Sequence, residues 1–454
     1  MLIKLYPNLK DCAEKGEFFV IHQNERDSMR ITILTFGSTG DVLPFVALGK
    51  KLMQNGHLVT ILATTDSREL IERHGLRFFS AEVNTKAMLK TELGQRFLAT
   101  QSNGLKTLNL WRQLVSTYAS NLPQMYKTAS QDADLIIFTL STFGGHSVAE
   151  QKGIPSIITS FFPVTPTGDF PVFIVRNSLG RSLNRLSYRA FEFLFRTLVL
   201  AGDNINLQPE RLGLTPYKSG PFTTLQNNGV PLLHPFSPTL IPKPKEWPTN
   251  VHVTGYWHLD ESDWKPPQAL LNFLANGPRP VSIGFGSMAI QDAPVVTRTI
   301  LEALAKTGQR AILSKGWAGI GEGIDLPDNI FLVDFVPHDW LFERVSGIVQ
   351  HGGAGTTHAS LRAGLPTLVV PFTSDQPMWA HSLHQLGISP KPIPLNRLTA
   401  DKLAKALLDL TDPKLIERAR QVGVQVRAED GVGKAVEAIE QILSNRAVPQ
   451  PTLL

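Results

Sequence analysis

The chain has 454 residues, more than one ordinary hydrophobic core serves, so two large domains or three of common size are expected. Hydrophobic residues make up 42% and charged ones 18%, which marks a globular chain and excludes a disordered or fibrous one. The net charge of +5, from 44 basic and 39 acidic side chains, is too small over this length to argue for nucleic-acid binding; it suits an anionic ligand or a membrane surface.

One cysteine, Cys12, excludes an internal disulfide framework, a Cys-rich zinc site and an iron–sulfur cluster, and points to a reducing, cytoplasmic setting. The most apolar stretches are interrupted by Arg or Pro before they reach the roughly 18 residues that a transmembrane helix needs. Residues 1–28 carry Pro7, Asp11, Glu14 and Glu17, the wrong pattern for a secretory signal. They read as a disordered extension ahead of a folded start at Met29.

From Met29 onward, short β-branched runs alternate with helical patterns, without a fixed-period repeat, as in parallel βαβ sheets. Strands are predicted at 30–36, 57–63, 135–140 and 156–160, with a helix over 46–55 that Gly56 stops. From Ser237 the passage SPTLIPKPKEWPTN holds four prolines in fourteen residues and reads as a stiff connection. A second series follows at 280–285, 311–314, 330–336, 347–350 and 367–372. Two doubly wound α/β domains are therefore expected, over 29–240 and 269–444, joined through 241–268, with a frayed tail at 445–454.

Ligands of open parallel sheets bind at the carboxyl ends of the strands. The predicted strand ends carry the polar and glycine-rich residues: Gly37, Ser38, Gly40 and Asp41 after the first strand, Gly286 and Ser287 after 280–285, and Lys315-Gly316-Trp317 after 311–314. Pro337-His338 follows 330–336, and Thr373 to Pro377, with Asp375 and Gln376, follows 367–372. The strongest signal is His351-Gly352-Gly353-Ala354-Gly355-Thr356-Thr357, after 347–350. Its glycines admit close backbone approach, the following helix offers free N–H groups, and Thr356 or Thr357 adds a hydroxyl. That is a diphosphate cradle without a metal; a tight strand-to-helix turn is the plainer alternative.

Rival motifs are weaker. Gly284 to Ala289 spells a dinucleotide fingerprint, but the next strand is followed by Lys315 instead of the acidic residue an NAD site needs. Asp132-Ala133-Asp134 resembles a metal-binding D-x-D but lies at the amino end of its strand. His351 and His358 are seven apart and belong to no H-E-x-x-H, and no P-loop or G-x-S-x-G elbow occurs.

Together GSTGDVLPFVALGKKL, SPTLIPKPKEWPTNVHVTGYW, PVSIGFGSM, VPHDWLF, VQHGGAGTTHASLRAGLPTLVVPF and SDQP resemble the UDP-dependent sterol glucosyltransferases, whose wider relatives include antibiotic-aglycone and plant small-molecule transferases. The resemblance covers about 29–396 and implies the GT-B arrangement, two facing Rossmann-like domains with an interdomain cleft, the acceptor held in the first and the donor in the second. By position, Val336 and His338 would meet the uracil, Ser287 and Thr356 the diphosphate, and His351, Gly353, Ala354 and Gly355 the rest of the cradle. Asp375 and Gln376 would bond the sugar hydroxyls. Trp317 is a weaker nucleotide contact, equally readable as a core residue. Plant relatives carry tryptophan where this chain has Phe335 or Val336, which departs from their base-stacking pattern.

Asp41 is the expected general base, a role worth about 10²–10⁴ in rate; the bland alternative is a cap for the helix that follows. His146 is a weaker acceptor-side candidate, more readily a structural histidine. The implied reaction is an inverting transfer of a hexose, glucose from UDP-glucose first, to a lipophilic alcohol such as a sterol, with no cofactor and no metal. Carotenoids, phenolics and macrolide-like aglycones are alternative acceptors, and a nucleotide-sugar epimerase or hydrolase or a non-catalytic lipid-binding protein are alternative classes. Residues 84–130 and 161–201 are expected to shape the acceptor pocket. Arg181, Arg185, Arg189 and Arg196 recur at helical spacing beside Phe191, Phe193 and Phe195, a pattern that fits peripheral membrane contact or an ordinary solvated face.

Overall fold

The computed structural model describes residues 28–99, 109–110, 113–114, 116–118, 121–175, 178–200, 220–260, 264–288, 290 and 292–447. The expected disordered extension therefore lies, but for Ser28, outside the described residues, as does the tail beyond Ala447.

Among the described residues two parallel sheets form. The first contains β1 (Arg30–Leu34), β2 (Leu58–Ala63), β3 (Arg77–Ser80), β4 (Leu135–Thr139), β5 (Ser156–Thr159), β6 (Leu232–His234) and β7 (Val251–Val253), in the order β3-β2-β1-β4-β5-β6-β7. The second contains β8 (Val281–Ile283), β9 (Ala311–Ser314), β10 (Ile330–Val333), β11 (Gly347–Gln350) and β12 (Thr367–Val369), in the order β10-β9-β8-β11-β12. β4 is buried at every position and β1 at all but its first, as a sheet covered on both faces requires. Register pairs Ile33 with Ile137 and Leu34 with Phe138, so alternate residues feed separate cores above and below the sheet. In each sheet the order reverses at one place, between β1 and β4 and between β8 and β11, which opens a crevice at the carboxyl ends of those strands.

Three boundaries differ from the sequence reading. The first helix, α1 (Thr39–Gln54), begins seven residues before the predicted start. Pro44 lies inside it, near its start, where its missing N–H forfeits only one bond. The stretch 241–268, read as a linker, contains β7, the edge strand of the first sheet. Helix Gly431–Ala447, assigned to the second domain and running into the supposed frayed tail, returns to the first: Ala435, Val436 and Ile439 pack with Phe45, Leu48 and Trp257. Asn55 Nδ2 seals that contact by donating to Glu440 Oε1 at 2.8 Å.

Candidate active site

Asp41 stands in the first turn of α1, reached through a turn of left-handed glycine at Gly37 (φ 151°). A Cβ on Gly37 would collide with Asp41 Oδ2, so only glycine lets the carboxylate fold back over the turn. Ser38 caps the helix, and its N–H (2.7 Å) and hydroxyl (3.0 Å) both donate to Asp41 Oδ2. Thr64 and Thr85 hydroxyls hold the Gly37 carbonyl at 3.3 and 3.1 Å, which fixes the turn itself. Asp41 thus takes up the capping role foreseen as its alternative, through Oδ2. The side chain is open to solvent but lies deep between protein walls, and that desolvation raises its carboxyl above the ordinary range, against the pull of the Ser38 bonds.

Across the cleft, the loops after β8 and β11 meet around His351. The imidazole fits between two glycines: a Cβ on Gly353 would lie 2.5 Å from Nε2 and one on Gly286 would lie 3.1 Å from Cε1. Gln350 ties the loop from inside, accepting from Gly352 N–H at 3.0 Å and donating to Thr357 Oγ1 at 3.3 Å. Thr357 is consequently buried, and of the two threonines Thr356 is the one placed toward the cleft side. Helix α2 (Ala354–Ala363) starts here on Gly353 with no side-chain cap, so its first N–H groups, Ala354 and Gly355 among them, are free for an anion. His351 is 8% exposed, its Nδ1 has no partner, and burial, then the neighbouring His338, hold its pKa down to about 4. A neutral imidazole with an unpartnered buried nitrogen fits a ligand that completes the bond.

The remaining expected donor residues lie around that loop. His338 opens a short helix and stacks on Phe342 at 4.7 Å, while Val336 before it is buried and Phe335 is 63% exposed. Ser287 is half-buried on the loop after β8. Trp317 takes part through its backbone, donating its N–H to Gly286 O at 3.0 Å, which braces the same loop. Asp375 caps helix α3 (Gln376–Gln385) and accepts from Trp379 Nε1 at 2.7 Å. Its carboxyl is raised by burial first, with the charge of Asp41 in the other domain a small further contributor. Gln376 differs from expectation: its Oε1 already accepts Phe372 and Thr373 N–H groups, and its Nε2 meets Met288 Sδ at 3.0 Å. That amide oxygen shapes the loop and has no lone pair left for a sugar hydroxyl.

Other candidates sit elsewhere. His146 is a core residue, bonded to Ser156 Oγ at 2.9 Å and stacked on Phe138. Asp134 is tied to Arg30 at 2.8 Å at the amino edge of the first sheet.

What the sequence did not reveal is the seam between domains. His358, two turns from the crevice along the chain, accepts Ser237 N–H on Nε2 at 3.0 Å and donates from Nδ1 to Ala354 O at 2.7 Å. Glu429 Oε1 gathers the hydroxyls of Ser237 and Thr239, each at 2.7 Å. The one available signal was that these residues flank the Pro-rich passage and the glycine loop.

Comparison with known proteins follows this geometry. Residues 31–171 match the glycosyltransferase family 28 N-terminal domain, and residues 299–442 match the erythromycin biosynthesis protein CIII-like C-terminal domain. The sterol 3-beta-glucosyltransferase UGT80A2 of Arabidopsis thaliana is 36% identical over 424 residues, covering 90% of this chain and 65% of its own length. The sterol 3-beta-glucosyltransferase of Cryptococcus neoformans var. neoformans serotype D (strain JEC21 / ATCC MYA-565) is 35% identical over 443 residues, 91% of this chain; the chain spans only 27% of that relative. Among solved structures the calicheamicin glycosyltransferase CalG4 superposes with a TM-score of 0.64 at 16% identity, covering 93% of this chain and all of that one. The chain has the GT-B fold, its first domain matches a glycosyltransferase family 28 N-terminal domain, and over most of its length it is similar to sterol 3-beta-glucosyltransferases of which it spans 27% to 65%.

Proposed function

We propose that the chain transfers glucose from UDP-glucose to the hydroxyl of a sterol or similar flat, lipophilic alcohol, forming a β-glycoside. What supports this reading is the His351 loop, with an unpartnered imidazole nitrogen beside the uncapped start of α2, together with the reach of Asp41's charge to Asp375. Asp41 Oδ1 takes the proton of the attacking hydroxyl while Oδ2 stays held by Ser38. The oxygen attacks the anomeric carbon in line with the departing UDP, so configuration inverts. The negative charge that develops on the diphosphate is met by neutral His351, Thr356 and the free N–H groups of α2, which need no reorganisation. Asp375 Oδ1 bonds a sugar hydroxyl, its other oxygen being fixed by Trp379.

The test is an incubation of the chain with UDP-glucose and a panel of lipophilic alcohols. Sterol glucoside should accumulate at the rate UDP is released, and EDTA should leave that rate unchanged. UDP release of equal rate without acceptor would favour a hydrolase, and a strict metal requirement would contradict the leaving-group account.

The acceptor's habitat suggests a surface role. No helix among the described residues is long and apolar enough to cross a membrane. The helix Arg181–Leu194, however, leaves Leu183, Leu186 and Phe193 between 52% and 65% exposed on one face, opposite buried Tyr188. Arg181 and Arg185 are engaged with Asp169 and Glu246, so the apolar side chains, more than the arginines, would make peripheral contact. Flotation with sterol-containing vesicles tests it; replacing Leu183 and Phe193 by serine should abolish the bound fraction.

A further inference from the structure

Tyr256 stands next to last in the passage SPTLIPKPKEWPTNVHVTGYW, where the sequence alone assigns it no role. It follows β7 and is 8% exposed, and its ring lies flat on His358 of α2, with centroids 4.6 Å apart and planes 9° from parallel. His358 is an unusually firm platform: both ring nitrogens are bonded, one to each domain, and Trp379 meets it edge-on at 5.2 Å. The stack leaves the phenol little freedom and aims Oη at the first turn of α2, where a Cβ on Gly355 would lie only 3.0 Å from it. Glycine at 355 keeps that approach open.

The ring is buried in its stack, and no hydrogen bond ties the hydroxyl to another described residue, so the O–H is available to a ligand at the helix start. Burial, and after it the charge of Asp41, keep the phenol protonated, so it faces the helix terminus as a donor. An uncapped helix start and the hydroxyl of a tyrosine whose ring is buried converge on one small space, and both are suited to an anionic oxygen.

We propose that Tyr256 donates its hydroxyl hydrogen to a non-bridging diphosphate oxygen of the nucleotide sugar seated at the N-terminus of α2. The inference rests on the donor reading above and adds to it a diphosphate contact supplied by the segment that ends the first sheet, so that the donor is gripped from both domains.

Tyr256→Phe keeps the ring and its stack and removes only the O–H, and its melting temperature should match that of the natural chain. Calorimetric titration with UDP and with uridine separates the outcomes. UDP should bind about ten-fold more weakly to the variant, with uridine unchanged, since one hydrogen bond to a charged group is lost. Equal UDP affinity in both proteins overturns the inference and leaves the donor reading standing. Parallel weakening of UDP and uridine also overturns it, by assigning Tyr256 to packing. If the natural chain binds no UDP, the donor reading itself fails and this inference with it.

Discussion

Asp41 has a structural part in α1, and the proposed chemistry uses the same carboxyl. Its Oδ2 completes the capping box of α1, and its position between protein walls raises its carboxyl. Because the base must be ionised, turnover should fall as pH drops through that raised value. The acidic limb of kcat is therefore expected above the usual carboxylate range near ~3.9, read from a pH–rate profile. Gly37→Ala should reduce kcat roughly ten-fold or more with little change in UDP affinity, because the added Cβ collides with Asp41 Oδ2 in a backbone conformation that favours glycine. His351, Thr356 and Asp41 were legible as residues, since polar groups after strand ends carry meaning without coordinates. The role of Gln376 was not: its amide is claimed by Phe372 and Thr373 N–H groups, a bond that depends on how the loop turns back on α3.

At the scale of elements, every strand of the second sheet was anticipated, because each is a short β-branched run followed by glycine or proline. β3, β6 and β7 were missed: β3 is only partly buried and does not alternate, and β6 and β7 lie in proline-rich surroundings. The helix Gly431–Ala447 was placed in the wrong domain because an amphipathic pattern tells that a helix is buried, not against which partner. Its start is set by backbone contact: a Cβ on Gly431 would collide with Tyr256 O and the Gly255 carbonyl group. Gly431→Ala should force the chain crossing apart and lower the melting temperature, whereas Glu429→Ala should be milder, costing about 1–3 kcal/mol for the hydroxyls of Ser237 and Thr239 left unpaired. Thermal denaturation of the two variants checks that order.

Across the whole molecule, buried neutral histidines make the fold acid-sensitive. His146, His234, His351 and His358 are each held down to about 4, burial being the main cause. In the unfolded chain the same residues titrate near ~6.5. The unfolded state therefore binds more protons between those values, and stability, complete above the unfolded value, is lost as pH falls toward 4. The raised Asp41, Glu150 and Asp375 act in the opposite sense but are three against seven, since burial also holds His252, His258 and His338 down. The melting temperature should drop between pH 7 and 5, and one that stays level would contradict the neutral assignments. His358 makes this more than a stability matter, since its neutral Nε2 receives the first domain's Ser237 N–H and holds the two walls of the cleft together.

The central claim is that Asp41 acts as base on an acceptor facing a donor held by the other domain. Steady-state sterol glucosylation by Asp41→Asn, with UDP affinity measured on the same preparation, addresses it most directly. The account predicts a kcat lower by about 10²–10⁴ with UDP binding unaltered, because the amide can still accept the Ser38 bonds but cannot take a proton. A variant that turns over within a few-fold of the natural chain would contradict it.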